Sequence, residues 1–228
     1  MSAPAARRSL VQVFAKAPLP GQVKTRLIPM LGVDGAVELH CRLVRHTLAT
    51  AVLARVGPLE VWTTAPGEDA FIQSCKRVLG VEVRLQPDGD LGARMLGAAE
   101  DGLRRAPAVI IVGTDCPTMH VDDLRAAHHA LAAGDDAVLG PAEDGGYWLI
   151  ALARCDPSLF AGIAWGDAGV LATTRERLHR LGWRWSEVAT RWDVDRPADL
   201  SRFAETPWLS SLVEGLVADS APIQQGTQ

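Results

Sequence analysis

The chain has 228 residues, 48% of them hydrophobic, and a formal net charge of −4. An acidic balance with a pI near 5.9 argues against a nucleic-acid binder, which carries a basic stripe; no apolar run reaches the roughly 18 residues of a membrane span. The 4 cysteines lack CxxC spacing and the 6 histidines lack metal spacing, which speaks against a disulfide framework or a zinc site.

Strand-like and helical runs alternate along the chain. The start, MSAPAARRS, has arginines without an apolar stretch behind them, so no signal peptide is expected and the chain reads as cytoplasmic. Leu10 to Ala15 (LVQVFA) reads as a strand, and Asp34 to Arg55 has apolar residues at helical spacing. A strand is expected at Leu59 to Thr63, a helix over Glu68 to Leu79, a short strand at Val81 to Leu85 and a helix over Leu91 to Arg105. The uninterrupted AVIIV at Ala108 to Val112 is what a central strand covered on both faces requires. A helix follows over Val121 to Ala133, opened by Asp122 and Asp123, then strands at Val138 to Leu139 and Tyr147 to Leu152. Ala168 to Leu181 is helical and ends at Gly182; Arg184 to Val188 suits an edge strand; Ala198 to Ala204 and Trp208 to Val217 read as helices; Asp219 to Gln228 has the composition of a tail. Repeated strand–helix–strand units imply an α/β protein with a mostly parallel sheet between helical layers, and without an interior linker residues 1–218 are expected to form a single domain.

In such sheets ligands sit beyond the carboxyl ends of the strands, and the unusual polar residues fall there. After the first strand comes KAPLPGQVKTRL, where Lys16, Lys24 and Arg26 surround a loop stiffened by prolines and freed at Gly21, the makings of a phosphate cradle or of a solvated basic loop. The GxxxxGK[ST] of a P-loop is absent. QPDGDLGARM offers Gln86 for a base edge, Gly89 and Gly92 for close backbone approach, and Arg94 at a helix start. Asp115, in GTDCPTM just after AVIIV, is placed to hold Mg²⁺ or Mn²⁺ against substrate phosphates, and equally to cap the next helix. GPAEDGGYWLIAL puts Asp144, Gly145 and Gly146 ahead of a strand, as a tight turn or as a ligand loop. RWDVDRPADL sets Asp193 and Asp195 two apart, where two like charges repel by roughly 3 kcal/mol at an effective dielectric near 20, unless a metal or a side chain such as Arg191 or Arg196 intervenes.

Together FAKAPLPGQVKTRL, DLGARM, VGTDCPTM, GPAEDGGYWLIAL, Ala164-Trp165 and DVDRPADL resemble the glycosyltransferase-A-like, nucleotide-diphospho-sugar transferase superfamily, and more closely a bacterial family of glycosyltransferases, some linked to arsenosugar biosynthesis. The resemblance runs from Phe14 to Leu200. It implies a three-layer α/β/α sandwich with a Rossmann-like nucleotide-binding half. It also implies nucleotide and phosphate binding by Lys16, Gly21, Lys24, Arg26, Gln86, Gly92 and Arg94, and a metal at Asp115 and Asp195. Catalytic roles are implied for Asp144 and Asp195, and a donor–acceptor loop of Gly145, Gly146, Tyr147 and Trp165. WGDAGVL departs from the family's Trp-Ser pattern at Gly166-Asp167.

The chemistry expected is transfer of a sugar from a nucleotide-diphosphate donor to a small acceptor. The lone Asp115, without an Asp-X-Asp, also resembles molybdenum-cofactor and phospholactate guanylyltransferases, in which a nucleoside triphosphate is the donor and pyrophosphate leaves. A nucleotide-binding module without turnover is the third reading. None of the three readings needs nucleic acid or a membrane span, and the oligomeric state is not legible.

Overall fold

The structure is a computed structural model that describes residues 8–64 and 69–216. Glu68, most of the MSAPAARRS start and the Asp219 to Gln228 tail lie outside the described residues. Seven strands form one sheet in the order β3-β2-β1-β4-β6-β5-β7: β1 Leu10–Ala15, β2 Leu59–Thr63, β3 Glu82–Leu85, β4 Val109–Val112, β5 Ala137–Pro141, β6 Tyr147–Leu152 and β7 Trp185–Glu187. The helices are α1 Ile28–Ala54, α2 Ala70–Leu79, α3 Leu91–Leu103, α4 Val121–Ala132 and α5 Val170–Arg180.

The strands β1, β2, β3 and β4 run parallel, with Val11 beside Leu59 and Ile110. Only β6 is reversed, antiparallel to both β4 and β5. Ala142 to Gly146 therefore closes a hairpin at the carboxyl edge of the parallel strands, where ligands of open α/β sheets collect.

Every residue of β4 is buried, so its side chains alternate between two cores rather than between core and water. Ile110 and Val112 join Val44 and Leu48 of α1 and Leu124 of α4 on one face. Val109 and Ile111 join Met95 and Ala99 of α3 and Leu171 and Leu178 of α5 on the other. The expected three layers are present. A third apolar cluster lies off the sheet, where Leu27, Leu39 and Leu43 meet Trp192, Val194 and Phe203.

Most element boundaries fall within a residue or two of the sequence expectation. One departure is α1, which begins at Ile28 instead of Asp34 and carries a non-helical break at Gly32, φ 69°. The other is the C-terminal segment, which forms 3₁₀ turns at Pro197–Phe203 and Pro207–Leu212 rather than α-helices. Each of those turns starts on a proline and is too short to carry α-helical packing on its own. No helix among the described residues is long and apolar enough to cross a membrane.

Candidate active site

The first loop turns back at Gly21, φ 74°, and reaches Lys24, a non-glycine residue in the left-handed region at φ 47° and ψ 37°. That conformation costs an L residue roughly 1–2 kcal/mol, so something must hold it. Lys24 Nζ lies 2.6 Å from Asp115 Oδ1 and 3.4 Å from Asp195 Oδ1, and it donates to the Val194 carbonyl. Its side chain is only 4% exposed, against 47% for Asp115 and 43% for Asp195. Burial alone would lower the ammonium's pKa, but Asp115 and Asp195 outweigh it, and Lys24 is held above its usual value and stays charged. Burial would likewise raise Asp115, but the Lys24 charge and hydrogen bond hold its carboxyl below the usual carboxylate range.

Two other elements complete the frame. His40 of α1 is hydrogen-bonded at 2.9 Å to the carbonyl of Lys16, which fixes the exit of β1; burial keeps this imidazole below its ordinary pKa. The segment that delivers Asp193 and Asp195 is held by Arg191, whose guanidinium grips Asp123 of α4 at 2.9 and 3.1 Å, and by a bond from Val194 N to the Asp115 carbonyl. Arg191 is thus the partner of Asp123, and the Arg196 and Asp195 amides are capped by Asp199. Neither arginine pairs with Asp193 or Asp195; Lys24 meets Asp195, and among the described residues Asp193 is left without an ion-pair partner.

Asp193 is the residue that sequence reasoning left outside the site. Its Oδ1 is buried without a hydrogen-bond partner, and burial together with the charges of Asp115 and Asp144 pushes its pKa up to about 8. The signal available in the sequence was the Asp-Val-Asp alternation; burial of the first carboxyl was not legible. An acid whose folded pKa lies above its unfolded value stabilises the fold fully below about pH 4, and that contribution is lost as pH rises through about 8. Asp193→Asn cannot ionise, so its margin over the parent in thermal melts is expected to widen from pH 5 to pH 8 by about 2 kcal/mol or more, since each pH unit between the unfolded and folded values costs the parent about 1.4 kcal/mol. A gain of the same size at both pH values would refute the buried ionisation.

Asp144 is exposed, and its Oδ1 accepts a hydrogen bond from Gly146 N at 2.9 Å, an Asx turn. It borders a cavity of about 180 Å³ on the α3–α5 face, walled by Phe14, Met95, Tyr147 and Trp165 and reached by Asp193. Tyr147 and Trp165 meet edge to face with centroids 6.3 Å apart.

The remaining positions divide sharply. Lys16 and Arg26 are exposed, and the Lys16 charge acts on Asp115. Gln86 spends its amide on the Trp62 carbonyl at 2.8 Å, and Arg94 donates to the Gly89 carbonyl at 2.9 Å. A Cβ on Gly92 would lie 2.7 Å from the Trp165 ring, and one on Gly145 would lie 2.1 Å from the Ala168 carbonyl oxygen. What approaches these two glycines is the chain itself. Backbone carbonyls and a tryptophan face compete with any ligand there, and the sequence does not display them.

A sequence profile of the bacterial family described as uncharacterized proteins conserved in bacteria, DUF2064, matches residues 47–167. The chain belongs to this family. The family span takes in Asp115 and Asp144 and leaves out Lys24, Asp193 and Asp195. No curated protein sequence matches the chain. Among solved structures, a "putative nucleotide-diphospho-sugar transferase" of Desulfovibrio desulfuricans G20 is 32% identical, with a TM-score of 0.79 and 90% of each chain covered. Rv0371c of Mycobacterium tuberculosis H37Rv, in complex with manganese, is 20% identical with a TM-score of 0.55, over 87% of this chain and 99% of its own. A CMP:2-keto-3-deoxy-manno-octonic acid synthetase complexed with CTP is 14% identical with a TM-score of 0.57, over 89% of this chain and 99% of that one. The last two share the fold.

Proposed function

We propose that the protein is a metal-dependent glycosyltransferase that moves a sugar from a nucleoside-diphosphate donor to a small acceptor. The observation that carries this reading is the meeting of Lys24, Asp115 and Asp195 at the carboxyl edge of the sheet, beside a cavity that Asp144 borders. The name of the Desulfovibrio relative, at 32% identity, supports the donor class. Manganese in the complex of Rv0371c, whose fold the chain shares, supports the metal.

The site fits a divalent cation. Asp115 and Asp195 already converge on one positive charge, that of Lys24. Among the described residues no group of three or more acids, cysteines or imidazoles stands ready for a metal, so the ion would rest on Asp115 and Asp195 with substrate phosphates completing its shell. Held by Asp115 and Asp195, such an ion would neutralise charge on the leaving diphosphate. Lys16 and Arg26 reach the same phosphates from the first loop, and Lys24 supplies a fixed positive charge between the two carboxylates. Asp144 faces the reacting side, where it accepts a hydrogen bond from a sugar or acceptor hydroxyl and orients it. The bond that breaks joins the sugar to the β-phosphate, and the acceptor oxygen forms the new one.

Nucleotidyl transfer is the second reading, favoured by the single Asp115 in place of an Asp-X-Asp. It joins a phosphorylated acceptor to the α-phosphate and releases pyrophosphate. Released nucleoside diphosphate from a nucleotide sugar supports the first reading, and pyrophosphate from a triphosphate the second. Neither product, with any acceptor, leaves a binding module.

Arg26 is the cleanest probe of the donor side, because it is exposed and structurally uncommitted. Arg26→Ala is expected to weaken a nucleoside diphosphate about 10-fold or more in calorimetric titration, since a charge-assisted hydrogen bond contributes about 1.5–3 kcal/mol. The bare nucleoside should bind unchanged. Equal weakening of both would remove Arg26 from the phosphate site.

A further inference from the structure

The cavity beside Asp144 has an unusual chemical balance. Its walls include the aromatic rings of Phe14, Tyr147, Trp148 and Trp165, and its acids are Asp144, Asp167 and Asp193. No Lys, Arg or His among the described residues lines it. Lys24, the cation that acts electrostatically on Asp193, is already tied to Asp115 and Asp195. An anionic ligand would enter against three carboxyls, with the charges of Lys24 and Arg177 felt only from outside the lining, and Asp193 Oδ1 waits, buried, without a donor. Aromatic faces attract cations through their ring quadrupoles, and the attraction grows where water is excluded.

We propose that this cavity binds an ammonium group carried on a compact apolar body, as the anchoring part of the transferase's acceptor. The acceptor role rests on the glycosyltransferase reading; the cation preference rests on the cavity alone. Phe14, Tyr147 and Trp165 receive the apolar body and the face of the cation, and Asp144 and Asp167 at the mouth supply the countercharge. The acceptor's hydroxyl is then left beside Asp144. A phosphorylated or carboxylated acceptor is disfavoured by the same arrangement, which counts against the guanylyltransferase-like chemistry.

Three probes of one shape separate the possibilities: choline, the uncharged alcohol in which a tert-butyl group replaces trimethylammonium, and the corresponding carboxylate. Binding is followed by methionine-methyl NMR of the full chain in buffer free of divalent ions. The Met95 resonance, from the cavity wall, should move, while that of Met30, 54% exposed elsewhere, should stay. Choline is expected to bind at least about 10-fold tighter than the uncharged alcohol, with the carboxylate weakest. In the double variant Asp144→Asn with Asp167→Asn that preference should fall to about twofold or less, with the alcohol's own affinity unchanged. Equal binding of choline and alcohol, preference for the carboxylate, a preference that survives the double variant, or no movement of Met95 with any probe would each overturn the proposal. Nucleoside diphosphate titrated into the same sample reads the donor site independently. Choline binding without nucleotide binding would keep the cavity assignment and sink the transferase reading.

Discussion

Asp144→Asn is expected to lower turnover roughly 100-fold while the protein melts within about 0.5 kcal/mol of the parent. The second half follows from the turn. Asp144 Oδ1 accepts from Gly146 N at 2.9 Å, and an asparagine oxygen does the same in the same place. Surface changes that keep such a bond are nearly silent in stability. The first half follows from the chemistry proposed. Asparagine offers one accepting oxygen where the carboxylate offers two, and it brings no charge to a hydroxyl being oriented or deprotonated. A hundredfold loss corresponds to about 2.7 kcal/mol of transition-state stabilisation, the range for losing one positioned polar group. The measurement is nucleoside diphosphate release under saturating donor, paired with a thermal melt. Normal turnover would reduce Asp144 to a turn residue and move the acceptor-side function elsewhere.

Alanine at Gly145 should do the reverse, wrecking stability before activity can be assayed. Gly145 sits at φ 90°, a conformation that L residues rarely adopt, and a Cβ there would stand 2.1 Å from the Ala168 carbonyl oxygen. The obstruction is backbone, so no rotamer change relieves it. The Gly145 carbonyl also accepts from Leu171 N at 2.9 Å, at the start of α5, so moving the turn away breaks a second contact. Strain of about 1–3 kcal/mol and overpacking of a similar size add to a loss of about 4 kcal/mol. In a chain of this size that is a fall in Tm of about 10 °C. Gly146→Ala is the control. Its φ is ordinary and its Cβ would meet only the Asp144 carboxyl, at 3.2 Å, so a fall of about 2 °C or less is expected. Equal effects at the two glycines would show that the Ala168 carbonyl can retreat, and the rigid junction described here would be wrong.

The frame was largely legible because its determinants are local. LVQVFA and AVIIV read as buried strands since apolar β-formers in a short run have few other uses, and both are strands in the central part of the sheet. The reversal of β6 was not legible, because YWLIAL, apolar throughout, carries no sign of direction. The α1 extension was missed because Pro29 and Gly32 look like loop residues, whereas proline is tolerated in a helix's first turn and the glycine marks a break between two helical pieces.

In the site, the charged residues after the strands do come together, since topology alone delivers strand ends to one edge. Lys24, Asp115 and Asp195 meet across 171 residues of separation for that reason. The positions read as nucleotide contacts in QPDGDLGARM were less legible, because their partners are main-chain carbonyls and an indole face. Gln86, Gly92 and Arg94 show what sequence cannot: which neighbours within the fold each residue already meets.

Asp193 and Asp195 lie on a late segment that is sewn to earlier parts by Arg191 to Asp123 and by Val194 to Asp115, and that is packed by Trp192 and Phe203 against α1. A polypeptide emerging from the ribosome can complete all seven strands before this segment appears. Until it does, Lys24 has one carboxylate instead of two and lacks the Val194 carbonyl that helps hold its left-handed backbone. The residues proposed to hold the metal and donor are therefore completed later than the sheet that positions them.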